Sequence, residues 1–224
     1  MGYKSFRDVY HKLAIVLDNG KCYQDMKNIV SEKVKLPSVE VNSVLVYGYI
    51  DKICGFSYTV LGFTYYEDGD YTLVWPSDEI GFTARGGCFQ NCEFVPIENK
   101  ALAKRFSFMI DSVNKGYSNE DDEETRSFEE LDSFRHHDYP DDVEIIIQNT
   151  EYRKRERIWA RLKKYEGTTE DGVKLFRATL LDEPFSDIYN LHYNDELAVL
   201  LLQYDDGEPV LFGTCVKNNN RLEK

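Results

Sequence analysis

Residues 43–75 read SVLVYGYIDKICGFSYTVLGFTYYEDGDYTLVW, and this stretch decides the fold. In Ser43 to Ile50, Val44, Val46, Gly48 and Ile50 alternate with Leu45, Tyr47 and Tyr49, which is strand spacing with apolar residues on both faces. Cys54 to Tyr66 and Tyr71 to Trp75 are β-branched and aromatic runs flanking Glu67-Asp68-Gly69-Asp70, a hairpin signal. Phe56, Tyr58 and Val60 fall on even positions, whereas Leu61, Phe63 and Tyr65 fall on odd ones. The phase flips near Leu61-Gly62, so a β-bulge is expected there.

Working outward, Ser5 is placed to cap a helix through Phe6, Val9, Leu13, Val16 and Leu17 that ends at Asn19-Gly20. A second helix is expected from Tyr23 to Lys33, with Leu36-Pro37 breaking the pattern after it. Cys92 to Ile97 reads as a further strand, and Asn99 to Lys115 as a helix with Leu102, Phe106, Met109, Ile110 and Val113 on one side.

Between Ser118 and Asp142 the composition changes. Eleven acids stand against Arg126 and Arg135, so this stretch carries about nine of the chain's thirteen net negative charges. Mutually repelling charges and little apolar surface predict a linker with a short helix over Thr125 to Phe134. Beyond it come five strand-like runs, Val143 to Gln148, Arg157 to Tyr165, Val173 to Leu181, Glu196 to Tyr204 and Pro209 to Cys215. Gly167, Gly172 and Gly207 lie in the turns between them. The reading is an α+β protein: residues 1–117 form an antiparallel sheet with about three helices, 118–142 an acidic linker, and 143–224 a small bent sheet or open barrel.

The 224 residues are 42% hydrophobic and 30% charged, the composition of a globular protein. Aromatic residues make up 14%, which suits pleated surfaces and binding faces. A net charge of −13 repels phosphate backbones, so nucleic acid is not expected as a ligand and a basic protein is. No apolar run approaches the roughly 20 residues of a bilayer span. Met1 to Val16 lacks the apolar centre of a signal peptide, and with five cysteines the expectation is a cytoplasmic protein with reduced thiols.

Three segments carry a resemblance. Glu156-Arg157-Ile158-Trp159-Ala160-Arg161-Leu162, Leu180 to Phe185, and Leu191-His192-Tyr193-Asn194-Asp195-Glu196-Leu197 resemble the small β domain of uncharacterised bacterial proteins of the YegJ type, over about the last third of the chain. That domain runs as a W-x-R-V/L strand, a G-x-L-x-N-x-P strand end and an L-x-x-G-D-x-V turn. Ala178 and Asn194 depart from it where Gly is usual, and Asp182 where Asn is usual. The resemblance implies a small β domain, some of whose relatives lie beside secreted toxins, and it transfers no catalytic set.

Phosphate-loop, dinucleotide, H-E-x-x-H, nucleophile-elbow and EF-hand patterns are all absent from the sequence. Cys88 and Cys92 form a C-x3-C pair, which departs from the C-x2-C of structural zinc sites, and no second pair accompanies it. His136-His137-Asp138 reads as solvated chain, because adjacent side chains point opposite ways. The basic run Arg153 to Lys164 around Trp159 reads as a face neutralised by the acids upstream. No metal or cofactor is expected.

The leading functional expectation is a non-catalytic protein that binds a basic partner, most concretely an immunity protein that neutralises a bacterial toxin. The candidate contact is Glu67, Asp68, Asp70, Tyr71, Trp75, Asp78 and Glu79, an ordered acidic patch with aromatic anchors, with Glu120 to Glu124 as a second group. The alternatives are a hydrolase or transferase using the Cys88 thiol with His11 or His192 as base, and a regulatory scaffold.

Overall fold

The computed structural model describes residues 5–17, 21–33, 40–76, 82–89, 92–203 and 207–215. They divide into two compact units, 1–118 with 137–139 and 119–136 with 140–224.

In the first unit a 3-10 turn, Phe6–Asp8, starts at Ser5, whose hydroxyl accepts from the Arg7 N–H while the Asp8 carboxylate accepts from the Ser5 N–H. Then follow β1 (Leu13–Leu17), α1 (Lys21–Lys33), β2 (Ser43–Asp51), β3 (Gly55–Glu67), β4 (Asp70–Pro76), β5 (Phe82–Arg85), β6 (Glu93–Ile97), α2 (Lys100–Arg105) and α3 (Ser107–Tyr117). The sheet order is β4-β3-β2-β1-β6, with β5 on β3, and every pairing is antiparallel.

Both faces of this sheet are covered. Ala14, Val16, Val44, Val46, Tyr58 and Val60 form a core with Tyr23 and Met26 of α1. Leu13, Ile15, Leu45, Tyr47 and Leu61 pack on the opposite side with Phe106, Met109, Ile110 and Val113. An antiparallel sheet commonly leaves one face in water; with both covered, apolar residues fall on both faces, and polar residues on β2 and β3, Ser43, Asp51, Ser57, Thr59 and Thr64, are buried too.

That burial explains why the helix expected from Phe6 to Leu17 is absent. Leu13–Leu17 is instead a strand between β2 and β6, and its apolar residues mimic helical spacing because both faces are buried. The helix expected over Asn99 to Lys115 is divided at Phe106, which is buried between α2 and α3. Asp68 and Gly69 both take positive φ in a two-residue hairpin. Leu45 pairs with Gly62 and Val46 with Val60, leaving Leu61 as the bulge.

In the second unit, α4 (Glu120–Ser127) and a 3-10 turn (Glu129–Phe134) precede β7 (Asp142–Asn149), β8 (Lys154–Thr168), β9 (Lys174–Leu180), β10 (Glu196–Leu202) and β11 (Val210–Cys215). The strands form a closed barrel in the order β10-β11-β7-β8-β9. Four antiparallel steps bring the fifth strand back in the direction of the first, so the seam between β11 and β7 is parallel. Val143, Ile145, Ile158, Ala160, Phe176, Ala178, Leu197 and Val199 alternate inward along the strands. At the seam a Cβ on Gly213 would meet Ile145 Cδ1 at 2.6 Å, so a larger residue there requires the Ile145 side chain to move.

The stretch 118–142 is folded rather than a linker. Asn119 caps α4 by accepting from the Asp122 N–H at 3.0 Å, and four acids occupy its first turn, where the helix dipole favours them. Arg126 is only 2% exposed and forms a bidentate pair with Asp141, at 2.8 Å through Nε and 2.7 Å through Nη2. Arg135 donates to the Pro140 and Thr125 carbonyls, and Arg161 pairs with Asp142 at 2.6 and 2.9 Å. Leu131 joins the barrel core.

The chain as a whole is therefore largely β, with eleven strands against four α-helices among the described residues, and the α+β assignment is corrected. Two things shift the balance: the first expected helix is largely a strand, and β5 lacks a sequence signal; separately, the expected bent sheet or open barrel closes. Among the described residues no helix is long and apolar enough to cross a membrane.

Arg126→Ala strands the buried Asp141 carboxylate and is expected to cost about 3–5 kcal/mol in chemical unfolding, whereas Arg157→Ala, in an exposed pair with Glu144, costs no more than about 1 kcal/mol. Gly213→Val overpacks the seam and lowers stability by about 1–3 kcal/mol in the same assay.

Candidate functional site

The β3–β4 hairpin places Glu67, Asp68 and Asp70 together at an exposed tip. The Glu67 charge, with burial and Glu40 behind it, raises the pKa of the Tyr65 phenol nearby. Tyr71 is half-buried instead: it packs against the α3 side of the sheet, and its hydroxyl accepts from Asn99 Nδ2 at 2.8 Å. Trp75 lies on β4 opposite Phe63, but its side chain, like Asp78 and Glu79, is outside the described residues. Glu120 to Glu124, the second acidic group, lie on α4, where Asp122 is buried and Glu123 reaches Arg126 at 3.4 Å.

Three of the seven basic residues in the run 153–164 form ion pairs within their own unit. Arg157 meets Glu144 at 2.6 Å, Arg161 meets Asp142, and Lys164 meets Asp121 at 3.8 Å. Arg155 donates to Gln148 and lies over the Phe212 ring. Trp159 takes the His136 ring edge-on at 5.2 Å.

Between β9 and β10 lies a surface that strand and turn patterns do not single out. The connection runs over residues 181–195, far longer than the two to five residues of an ordinary hairpin loop. Length and a Pro-Phe pair among acids are the signals that mark it in the sequence. Pro184 is buried, while Phe185 is 98% exposed and Tyr193 is 56% exposed. Both backbones are braced. The Phe185 N–H donates to the two Glu156 carboxylate oxygens at 3.1 and 3.2 Å, and the Tyr193 N–H donates to Glu183 at 2.8 Å. His192 Nδ1 meets the other Glu183 oxygen at 2.8 Å, and the His192 N–H donates to Asp195 at 2.7 Å. Asn149 Nδ2 donates to the Ile188 carbonyl, and Asn190 and Asn194 take left-handed φ of 52° and 71°. Asn tolerates that region better than most residues with a Cβ.

The loop is also acidic. Asp182, Glu183, Asp187 and Asp195 lie in it and Glu156 supports it, with His192 as its one basic side chain. The backbone hydrogen bond from Tyr193, then His192, hold the Glu183 carboxyl below its ordinary pKa. The hydrogen bond and charge of Glu183 raise the His192 imidazole above its own, with Asp195 and Asp187 adding to the shift.

Among the described residues the thiols give no assembled site. Cys88 is exposed on a 3-10 turn at Gly86–Phe89, Cys92 is buried, and Cys54 and Cys215 are exposed. His11 stacks on Tyr10 at 4.0 Å and His192 bonds Glu183, so each histidine named as a base for Cys88 has another partner. Among the described residues no group of three His, Cys, Asp or Glu side chains could hold a metal. The buried Asp51 serves the β2–β3 turn: burial would raise its pKa, but the Cys54 and Ile53 N–H groups and Arg85 outweigh that and hold it below the usual value.

No family model, curated protein or solved structure matches this chain.

The His192–Glu183 pair is charged on both sides only between the lowered Glu183 pKa and the raised His192 pKa. Its contribution to loop order is full below the ordinary imidazole pKa and is lost as pH rises through the raised one; on the acid side it is lost as Glu183 protonates. An NMR titration is expected to place the His192 pKa above the ordinary imidazole value, and Glu183→Gln is expected to lower it toward that value, with Asp195 and Asp187 still holding it up.

Proposed function

We propose that this is a non-catalytic binding protein that captures a basic protein partner, in the manner of an immunity protein neutralising a bacterial toxin, and that the 181–195 loop is its principal contact. The observation that carries the reading is the exposed Phe185 with Tyr193, held in place by Glu156 and Glu183 and ringed by acids. Protein interfaces concentrate their free energy in a few aromatic anchors inside a polar rim, and a braced anchor loses little conformational entropy on binding. The acids supply long-range attraction for a positively charged surface. Toxins that attack nucleic acid carry basic clefts, which makes them a fitting class of partner.

The β3–β4 hairpin is the second acidic exposure. It offers Glu67, Asp68 and Asp70, but its described aromatic Tyr71 packs against its own unit. It therefore suits steering better than anchoring. The resemblance of 156–197 to the YegJ-type domain, some of whose members lie beside toxins, leans the same way, and a cytoplasmic location belongs to this proposal. The thiol-enzyme reading draws no support from the partners of His11 and His192.

The test is retention of proteins from host lysate at low and high salt, with mass spectrometry of what is held. One basic protein is expected, weakened by salt. Phe185→Ala is expected to lower its affinity by about tenfold or more, and Asp182→Lys with Asp187→Lys to slow association and flatten its salt dependence. A partner held equally by wild type and Phe185→Ala removes the loop as the contact, and an acidic partner or none removes the reading.

A further inference from the structure

Apart from the acidic surfaces, the first unit contains a cleft of about 600 Å³ where the start of β1, the end of β6 and the helices α2 and α3 meet. Its volume lies in the range of small-molecule sites. Leu13, Tyr47, Ile97, Ala103 and Ile110 supply apolar lining. Around them stand His11, Lys12 and Lys100, with Glu98 as the one acid. In a chain of net charge −13, a wall with three basic side chains and one acid is a local reversal of sign.

His11 adds an independent mark. It takes φ of 53°, a left-handed conformation uncommon for a non-glycine residue, and the surrounding structure holds it there. Its N–H donates to the Gly48 carbonyl at 2.9 Å, while the Gly48 N–H donates to the Lys12 carbonyl at 3.3 Å. A side chain on Gly48 would put its Cβ 2.3 Å from the Val9 carbonyl oxygen, so the close approach of the two segments requires glycine. The imidazole lies nearly parallel to Tyr10 at 4.0 Å and to Tyr47 at 6.0 Å, in a short stack of rings. The Tyr47 hydroxyl is fixed to Asn114 Oδ1 at 3.0 Å, which keeps that ring in place as floor.

We infer that this cleft binds a small amphipathic organic anion, its apolar part on the Tyr47–Ile110 floor and its acidic group among Lys12, Lys100 and His11. Lys12 Nζ donates to the Arg7 carbonyl at 2.8 Å and keeps further N–H donors, while a neutral apolar ligand would leave the Lys100 ammonium unused and a purely polar anion would leave the floor wet. A cation meets only Glu98. The proposal is independent of the partner-binding reading, since it uses no residue of the 181–195 loop.

The test uses the full chain and anilinonaphthalene sulfonate, a fluorescent amphipathic anion. Saturable binding at one site per chain is expected. Ala103 is exposed on α2, so Ala103→Trp fills the cleft without entering the core and is expected to abolish the signal. Lys100→Glu leaves the floor intact and is expected to weaken binding by about tenfold, with a smaller loss in high salt. Unfolding midpoints and circular dichroism of both variants confirm folding. Absence of saturable binding, or binding that survives either substitution, overturns the proposal. If Ala103→Trp fails to fold, the Lys100→Glu titration decides alone.

Discussion

The bidentate pair between Arg126 and Asp141 converts the most acidic part of the chain from a repelling segment into part of a folded unit. A buried guanidinium is tolerated only when its donors meet good acceptors, and here two go to one carboxylate with a third reaching Glu123. Arg135 fastens the same segment through the Pro140 and Thr125 carbonyls, and Arg161 draws Asp142 onto the barrel wall. Once the pairs close, Leu131 reaches the barrel core and β7 starts at Asp142, beside the strand that must accept it. The ion pairs make burial of this polar segment affordable; the apolar contacts supply the driving force.

The first unit depends on a different constraint. Its sheet is antiparallel yet covered on both sides, so even polar residues of its central strands, Ser43, Asp51, Ser57, Thr59 and Thr64, are buried, and its register is set by turns and bulges. The positive φ values at Asp68 and Gly69 fix one hairpin, and the bulge at Leu61 turns that residue toward the α3 side while Phe63 stays with the α1 side.

Charge and anchoring divide between two exposures. The hairpin tip concentrates acids but directs its described aromatic inward, whereas the 181–195 loop holds acids and aromatics outward in one braced arrangement. Glu183 and Glu156 act there as acceptors for backbone N–H groups, so carboxylates that contribute negative potential also stiffen the loop. The cleft beside His11 has the opposite sign, which separates its ligand chemistry from that of the acidic surfaces.

Local pattern by itself determined α1, the β3–β4 hairpin, the bulge at Leu61 and the five strands of the second unit, because those features depend on near neighbours: alternation, turn residues and phase. Tertiary structure alone decided that Leu13–Leu17 is a strand, since burial from both sides erases the period that distinguishes strand from helix. It alone decided that 118–142 folds, because the arginines that neutralise the acids find them through space, Arg126 across fifteen residues and Arg161 across nineteen. The site followed the same division: the acids at Glu67, Asp68 and Asp70 were legible as charge, but which aromatics face water depends on what packs over them. Tyr71 is covered and Phe185 is not, and composition is the same for both.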